Sequence, residues 1–158
     1  MEKLSLVLWR ERELLDTLHY RLEQEQLLLA SGRTRWLIRA AREVEAVLET
    51  IRETEVLRAV AADQAAASVG LPAGSSLRDL ADAADEPFRS LLHDHREAFQ
   101  AATLEITALA DANRDLITTG YRSARETLMT LGGPVDGYSQ DGTATSVAPR
   151  HRLVDRSL

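Results

Sequence analysis

Cysteine is absent from the 158 residues. That removes disulfides, thiol nucleophiles and thiolate metal sites, and it makes a reducing compartment, the cytoplasm, the expected location. Aromatic side chains are scarce, 4% of the chain against 44% hydrophobic residues. A core must therefore be filled with Leu, Ala, Val and Ile, the usual content of packed helices. No apolar run approaches the roughly 18 residues needed to span a bilayer, and the opening segment interleaves charges (Lys3, Arg10, Glu11, Arg12). Neither a membrane span nor a signal peptide is expected. Lysine is nearly missing as well, with Lys3 alone beside 18 arginines; this imbalance is taken as genome composition. The formal charge is −6, and the cations are scattered among carboxylates along the helical segments. Without a one-sided basic stripe, nucleic acid is not an expected partner. No repeat, glycine-rich phosphate loop or nucleophile elbow occurs, and the Glu-x-x-His pattern of di-iron bundles is missing. No enzyme activity, metal or cofactor is expected.

What the chain does contain is leucine at helical spacing. Leu4, Leu8, Glu11, Leu15, Leu18, Leu22, Glu25 and Leu29 alternate steps of four and three, the seam of a supercoiled helix. Val7, Trp9, Leu14, Leu27 and Leu28 widen that stripe, so the first helix is expected to touch more than one neighbour. Ser31-Gly32-Arg33 supplies a break, with Gly32 suited to a left-handed cap and Thr34 able to cap the next helix. The second helix reads through Leu37, Ala41, Val44, Leu48 and Ile51. It then slips in phase to Val56, Leu57 and Val60, like a stutter, and dissolves into alanines near Ser68. A tight turn between two long helices predicts an antiparallel hairpin.

Gly70 to Ser76 has loop composition, and Leu77 to Ala84 can form a short helix capped by Ser75 or Ser76. Asp85-Glu86-Pro87 has the chemistry of a helix start. Beyond it Phe88, Leu92, His95, Phe99, Ala102, Ile106, Leu109, Asn113, Leu116 and Gly120 keep the four-three alternation. Ala124, Leu128 and Leu131 continue it after a local shift. The expected fold is all-α, a long antiparallel helical hairpin packed with a third long helix as a coiled-coil-like bundle. Residues 1–131 form the helical domain and 132–158 a flexible, disordered tail.

Two groups of polar residues could be mistaken for a site. His93 and His95 stand two apart, hence about 200° apart around a helix, and cannot share a metal. His95 is expected at the seam and His93 toward solvent; a phosphotransfer role for His95 is the enzymatic alternative. Glu11 and Glu25 are about 21 Å apart along a helix axis, too far to cooperate as acid and base, and are expected to set register or to pair with arginines. Asn113 has two readings: an amide that fixes register, or part of a face left open for a client helix. The second joins it to Leu109, Leu116, Ile117, Gly120, Tyr121, Leu128 and Leu131, with Gly120 lowering local helix propensity by about 1 kcal/mol relative to Ala. Tyr138 is either idle or the anchor of a short linear motif.

The run Asn113-Arg-Asp-Leu-Ile-Thr-Thr-Gly-Tyr121, then Leu128-Met-Thr-Leu131, then Tyr138-Ser-Gln-Asp-Gly142-Thr-Ala-Thr-Ser-Val147, resembles the C-terminal half of flagellar export chaperones of the FlgN type. The start is similar too: a leucine-rich helix, Glu-Gln-Glu-Gln at 23–26, and a short break before a second helix. The family often has Asn-Gly where this chain has Asn113-Arg114. The resemblance implies a cytosolic chaperone that binds the C-terminal helical region of hook-filament junction proteins, prevents their early assembly and delivers them to the flagellar type III export gate. Client binding would then fall to Leu109, Asn113, Leu116, Ile117, Gly120, Tyr121, Leu128 and Leu131, and gate binding to Tyr138 and Gly142. The runner-up is a self-associating helical scaffold without a client.

Overall fold

A computed structural model describes residues 1–131, and every regular element among them is helical. The elements are α1 (Glu2–Ala30), a single 3-10 turn (Thr34–Trp36), α2 (Leu37–Ser68), α3 (Leu77–Ala83) and α4 (Phe88–Leu131). The chain divides into two compact units, Met1–Thr118 and Thr119–Leu158, with the division inside α4. The expected tail, with Tyr138 and Gly142, lies outside the described residues.

α1 stops where its sequence says it should. Gly32 takes φ 67°, and the amides of Gly32 and Arg33 donate back to Leu29 and Leu28, which satisfies two of the carbonyls a helix end leaves open. The expected Thr34 cap is not made: Thr34 opens the 3-10 turn instead, and α2 begins after Trp36 without a side-chain cap. The same glycine device ends α2. Gly70 (φ 74°) and Leu71 donate to Ala67 and Ala66, and Leu71 folds onto the core. α3 starts at a reciprocal capping box, with Ser76 Oγ accepting from the Asp79 amide at 3.1 Å and the Ser76 amide donating to Asp79 Oδ2 at 3.2 Å. The Ser76 hydroxyl also donates to Asp79 Oδ2 at 2.6 Å, and this bond, joined by the one from the Ser76 amide, favours the charged carboxylate and holds the Asp79 pKa below its usual value.

Cross-contacts fix the directions. Lys3 meets Gln64, Glu11 meets Arg58 and Arg21 meets Glu43, so α1 and α2 are antiparallel. Trp9 touches His95, and Leu22 and Glu25 bind Asn113, so α4 runs parallel to α1. At the end where α1 begins, Leu4, Leu8, Leu80, Ala81, Ala84 and Leu92 are sealed with Ala61, Ala65 and Ala66. The alanines let α1, α2 and α3 converge, and α3 plugs that end. Farther along, Leu14, Leu18, Leu22 and Ile51 form a second cluster, with Ile106 and Leu109 of α4 packed against it.

The expected stutter in α2 does not exist. Ala40, Val44, Val47, Ile51, Thr54, Arg58, Ala61 and Ala65 form one unbroken four-three seam, every member buried or half-buried. Val56, Leu57 and Val60 are exposed instead. A seam that passes through Thr54 and Arg58 is hard to follow by hydrophobicity. Thr54 satisfies its hydroxyl on the Thr50 carbonyl, and Arg58 meets the Glu11 carboxylate across the hairpin as an ion pair, although its Nε finds no hydrogen-bond acceptor. α1 needs a similar correction, because Leu14 is buried more deeply than Leu15, and Leu27 points outward.

Candidate functional site

The first half of α4 belongs to the bundle. Leu92 and His95 are fully buried and Asn113 nearly so. Asn113 donates through Nδ2 to the Leu22 carbonyl (2.9 Å) and to Glu25 Oε2 (3.1 Å). A helix carbonyl and a carboxylate held by one amide define the register of α4 on α1: a seven-residue slip would put Ile106 or Gly120 opposite Glu25 and leave its carboxylate without that donor. Of the two readings the sequence allows for Glu25, register or an arginine partner, the first holds, through the Asn113 amide. Glu11 does meet an arginine. Its Oε2 lies 3.0 Å from Arg58 Nε but out of line for a hydrogen bond, so the attraction is one of charge. Burial outweighs that attraction, the Glu55 carboxylate adds to it, and the Glu11 pKa is pushed up.

His95 occupies the seam, as expected, and is closed off. Its ring meets Trp9 edge-on with centroids 4.9 Å apart, lies near-parallel to Phe99 at 6.1 Å, and finds no hydrogen-bond partner for either nitrogen. Phosphotransfer needs a nitrogen that a donor can reach, so this position does not suit it. Burial holds the imidazole pKa down, with Arg12 adding to the effect and Asp94 opposing it. His93 is half-buried and reaches Asp82 at 3.2 Å, so it is less open to solvent than expected. Among the described residues no cluster of His, Asp or Glu has the arrangement of a metal site, and no helix is long and apolar enough to cross a membrane.

Past Asn113 the helix changes character. Every residue from Arg114 to Leu131 is exposed. The apolar spacing nonetheless continues: from Asn113 it steps to Ile117, passes over Gly120 to Tyr121, and runs on through Ala124, Leu128 and Leu131. Ile117 is 52% exposed, Tyr121 and Leu128 70%, and Leu131 78%. Leu116 is at 38% and Met129 at 63%. A Cβ built on Gly120 meets nothing within 4 Å, so no neighbour among the described residues requires glycine there.

Eight residues were expected on one open face, and the structure separates them. Leu109 packs on the second cluster and Asn113 is turned onto α1; both face inward because the α4 seam is still sealed at that level. Leu116, Ile117, Gly120, Tyr121, Leu128 and Leu131 are open. Ala124, which the spacing includes, is not among the eight expected residues but is open as well, and so is Met129, which lies beside the seam. The spacing of four and three after Tyr121 was the signal for Ala124.

Exposed leucines and a tyrosine at seam spacing can do one thing chemically: bury themselves against another apolar stripe. A comparison with family models matches residues 1–146 to the family described as FlgN protein. Neither the curated proteins nor the solved structures searched yielded a match. With nearly the whole helical chain inside the match, the protein belongs to the FlgN family, the flagellar export chaperones.

Proposed function

We propose that this chain is the export chaperone of hook-filament junction proteins, capturing their C-terminal helical region in the cytosol and delivering them to the flagellar type III export gate. The observation that carries the reading is the uncovered seam Ile117–Tyr121–Ala124–Leu128–Leu131. A client helix laid along it buries apolar side chains at about 1.5–3 kcal/mol each before ordering costs. Asn113 takes the other role the sequence allowed and fixes register, and Leu109, expected on the client face, joins it in anchoring α4 to the bundle, so that together they set where the binding face begins. Tyr138 and Gly142 form the contact with the gate.

Ile117→Asp tests the surface. The aspartate sits at an exposed position, so the helical signal and melting temperature stay as they were while co-purification of the junction protein falls. Unchanged retention would refute this face as the docking site. Tyr138→Ala is expected to keep client binding and slow secretion, separating capture from delivery. The same seam could pair two copies of the chain, the scaffold reading. Light scattering across concentrations distinguishes them, since a client-free dimer that persists on dilution and leaves no apolar surface for a client would replace the chaperone reading.

A further inference from the structure

The cations scattered along most of the chain gather in one place. Between Gln26 and Glu43 there are four arginines, Arg33, Arg35, Arg39 and Arg42, and no acidic residue, in a chain whose formal charge is −6. These residues make the turn of the α1–α2 hairpin and the start of α2, and all four arginines are exposed. So is every residue from Ser31 to Trp36. Around them stand three large apolar side chains that the bundle leaves uncovered, Leu27, Trp36 and Ile38.

We infer that the hairpin turn docks the protein on an anionic phospholipid surface, with Arg33 and Arg35 on the lipid phosphates and Trp36, Leu27 and Ile38 among the headgroups. The arginines and the apolar residues suit this occupant together. Guanidinium groups bind phosphate through paired donors, and a tryptophan bordered by basic side chains is the usual content of a membrane-water interface. The Arg35 guanidinium already lies 4.8 Å over the Trp36 ring, so the charge and the ring reach the surface as one unit.

An acidic polypeptide is the competing occupant, and the distribution of unpaired charge disfavours it. A groove of about 460 Å³ does open beside the turn, floored by Leu27, Leu28 and Trp36. Its rim arginines, Arg21 and Arg39, are both bonded to Glu43, at 2.9 and 3.0 Å. Of the four arginines, Arg33, Arg35 and Arg42 pair with no carboxylate among the described residues; Arg42 lines no part of the groove, and Arg33 and Arg35 lie at the turn itself. A broad anionic surface meeting the turn reaches both at once. Repulsion from the acidic remainder of the chain weakens beyond about 8 Å at physiological salt.

The test is co-sedimentation of the full-length protein with phosphatidylcholine vesicles, with and without phosphatidylglycerol, across salt concentrations. Binding is expected only with phosphatidylglycerol and is expected to fall as salt rises. Arg33→Gln and Arg35→Gln each weaken it about fivefold. In a Trp9→Phe background, Trp36 emission shifts to the blue on binding. Arg78→Gln removes the same charge at the α3 end and leaves binding unchanged. All these positions are exposed, and circular dichroism checks that each variant keeps its helix. Equal binding to neutral vesicles, equal loss in Arg78→Gln, or no vesicle binding while poly-glutamate is retained would each overturn the assignment.

Discussion

One helix carries two halves with the same hydrophobic spacing and opposite fates. From Leu92 to Asn113 the α4 seam is buried or half-buried against the bundle and held by a buried amide; from Arg114 to Leu131 every residue is exposed. Seam spacing therefore states only that a stripe can be buried. Whether it is buried depends on what lies opposite, and for the first half the partners are Leu4, Leu8, Trp9, Leu22 and Glu25 of α1, and Leu80 of α3. On the proposed function, the anchored half of this helix fixes the geometry and the unsatisfied half receives the client.

The contrast predicts a large difference in local stability. An isolated stretch of about a dozen helical residues is marginal in water, and Gly120 weakens it by about 1 kcal/mol. Backbone amides from Tyr121 to Leu131 are expected to exchange at least about a thousandfold faster than those between Phe99 and Asn113, which open only with the bundle. Hydrogen exchange resolved along α4 measures this directly; equal protection in the two halves would mean the distal seam is covered in the free protein. Bound client should slow exchange only in the distal half.

Substitutions sharpen the same boundary. Leu92→Ala empties a site enclosed by Leu4, Leu8, Leu80 and Ala84 and is expected to cost about 2–5 kcal/mol in urea unfolding. Leu128→Ala should fall within about 0.5 kcal/mol of the parent. Asn113→Ala comes between them, at about 1–3 kcal/mol, because it takes the donor away from Glu25 and the Leu22 carbonyl. If Asn113→Ala were neutral, the amide would not be what fixes α4 in place.

Much of this was legible in the residues, and the failures share a cause. The ends at Gly32 and Ser76 followed from cap chemistry, which is local, and the loop from Gly70 followed from composition, while the expected Thr34 cap did not form. The long helices followed from leucine spacing. The phase of α2 did not, because Thr54 and Arg58 hold seam positions whose burial is made possible only by the Thr50 carbonyl and by Glu11, the latter on another helix. Counting apolar residues pulled the seam toward Val56, Leu57 and Val60, which face solvent. Asn113 was ambiguous for the same reason, since its role depends on Glu25 standing opposite. The start of the open face was likewise unreadable, as nothing in the pattern of α4 records where α1 stops covering it.

The smallest expected effect concerns pH and belongs to the sealed half. His95 is buried between Trp9 and Phe99 with neither nitrogen bonded, and its pKa is held below the ordinary value by burial and by Arg12. The unfolded chain takes up this proton near about pH 6.5, whereas the folded chain takes it up only at lower pH. Between those points the unfolded state binds more protons, so stability falls as pH drops below about 6.5 and levels off below the folded pKa. Glu11 works in the other direction: its raised pKa lets the folded state protonate first, which recovers stability as pH falls toward the carboxylate range. Urea midpoints for the parent and His95→Leu at pH 7.5 and 5.5 separate the two groups. The parent should lose stability between those values and the variant should lose less. An equal loss in both would place the acid sensitivity outside the Trp9–His95–Phe99 stack and leave the anchoring of α4 independent of pH.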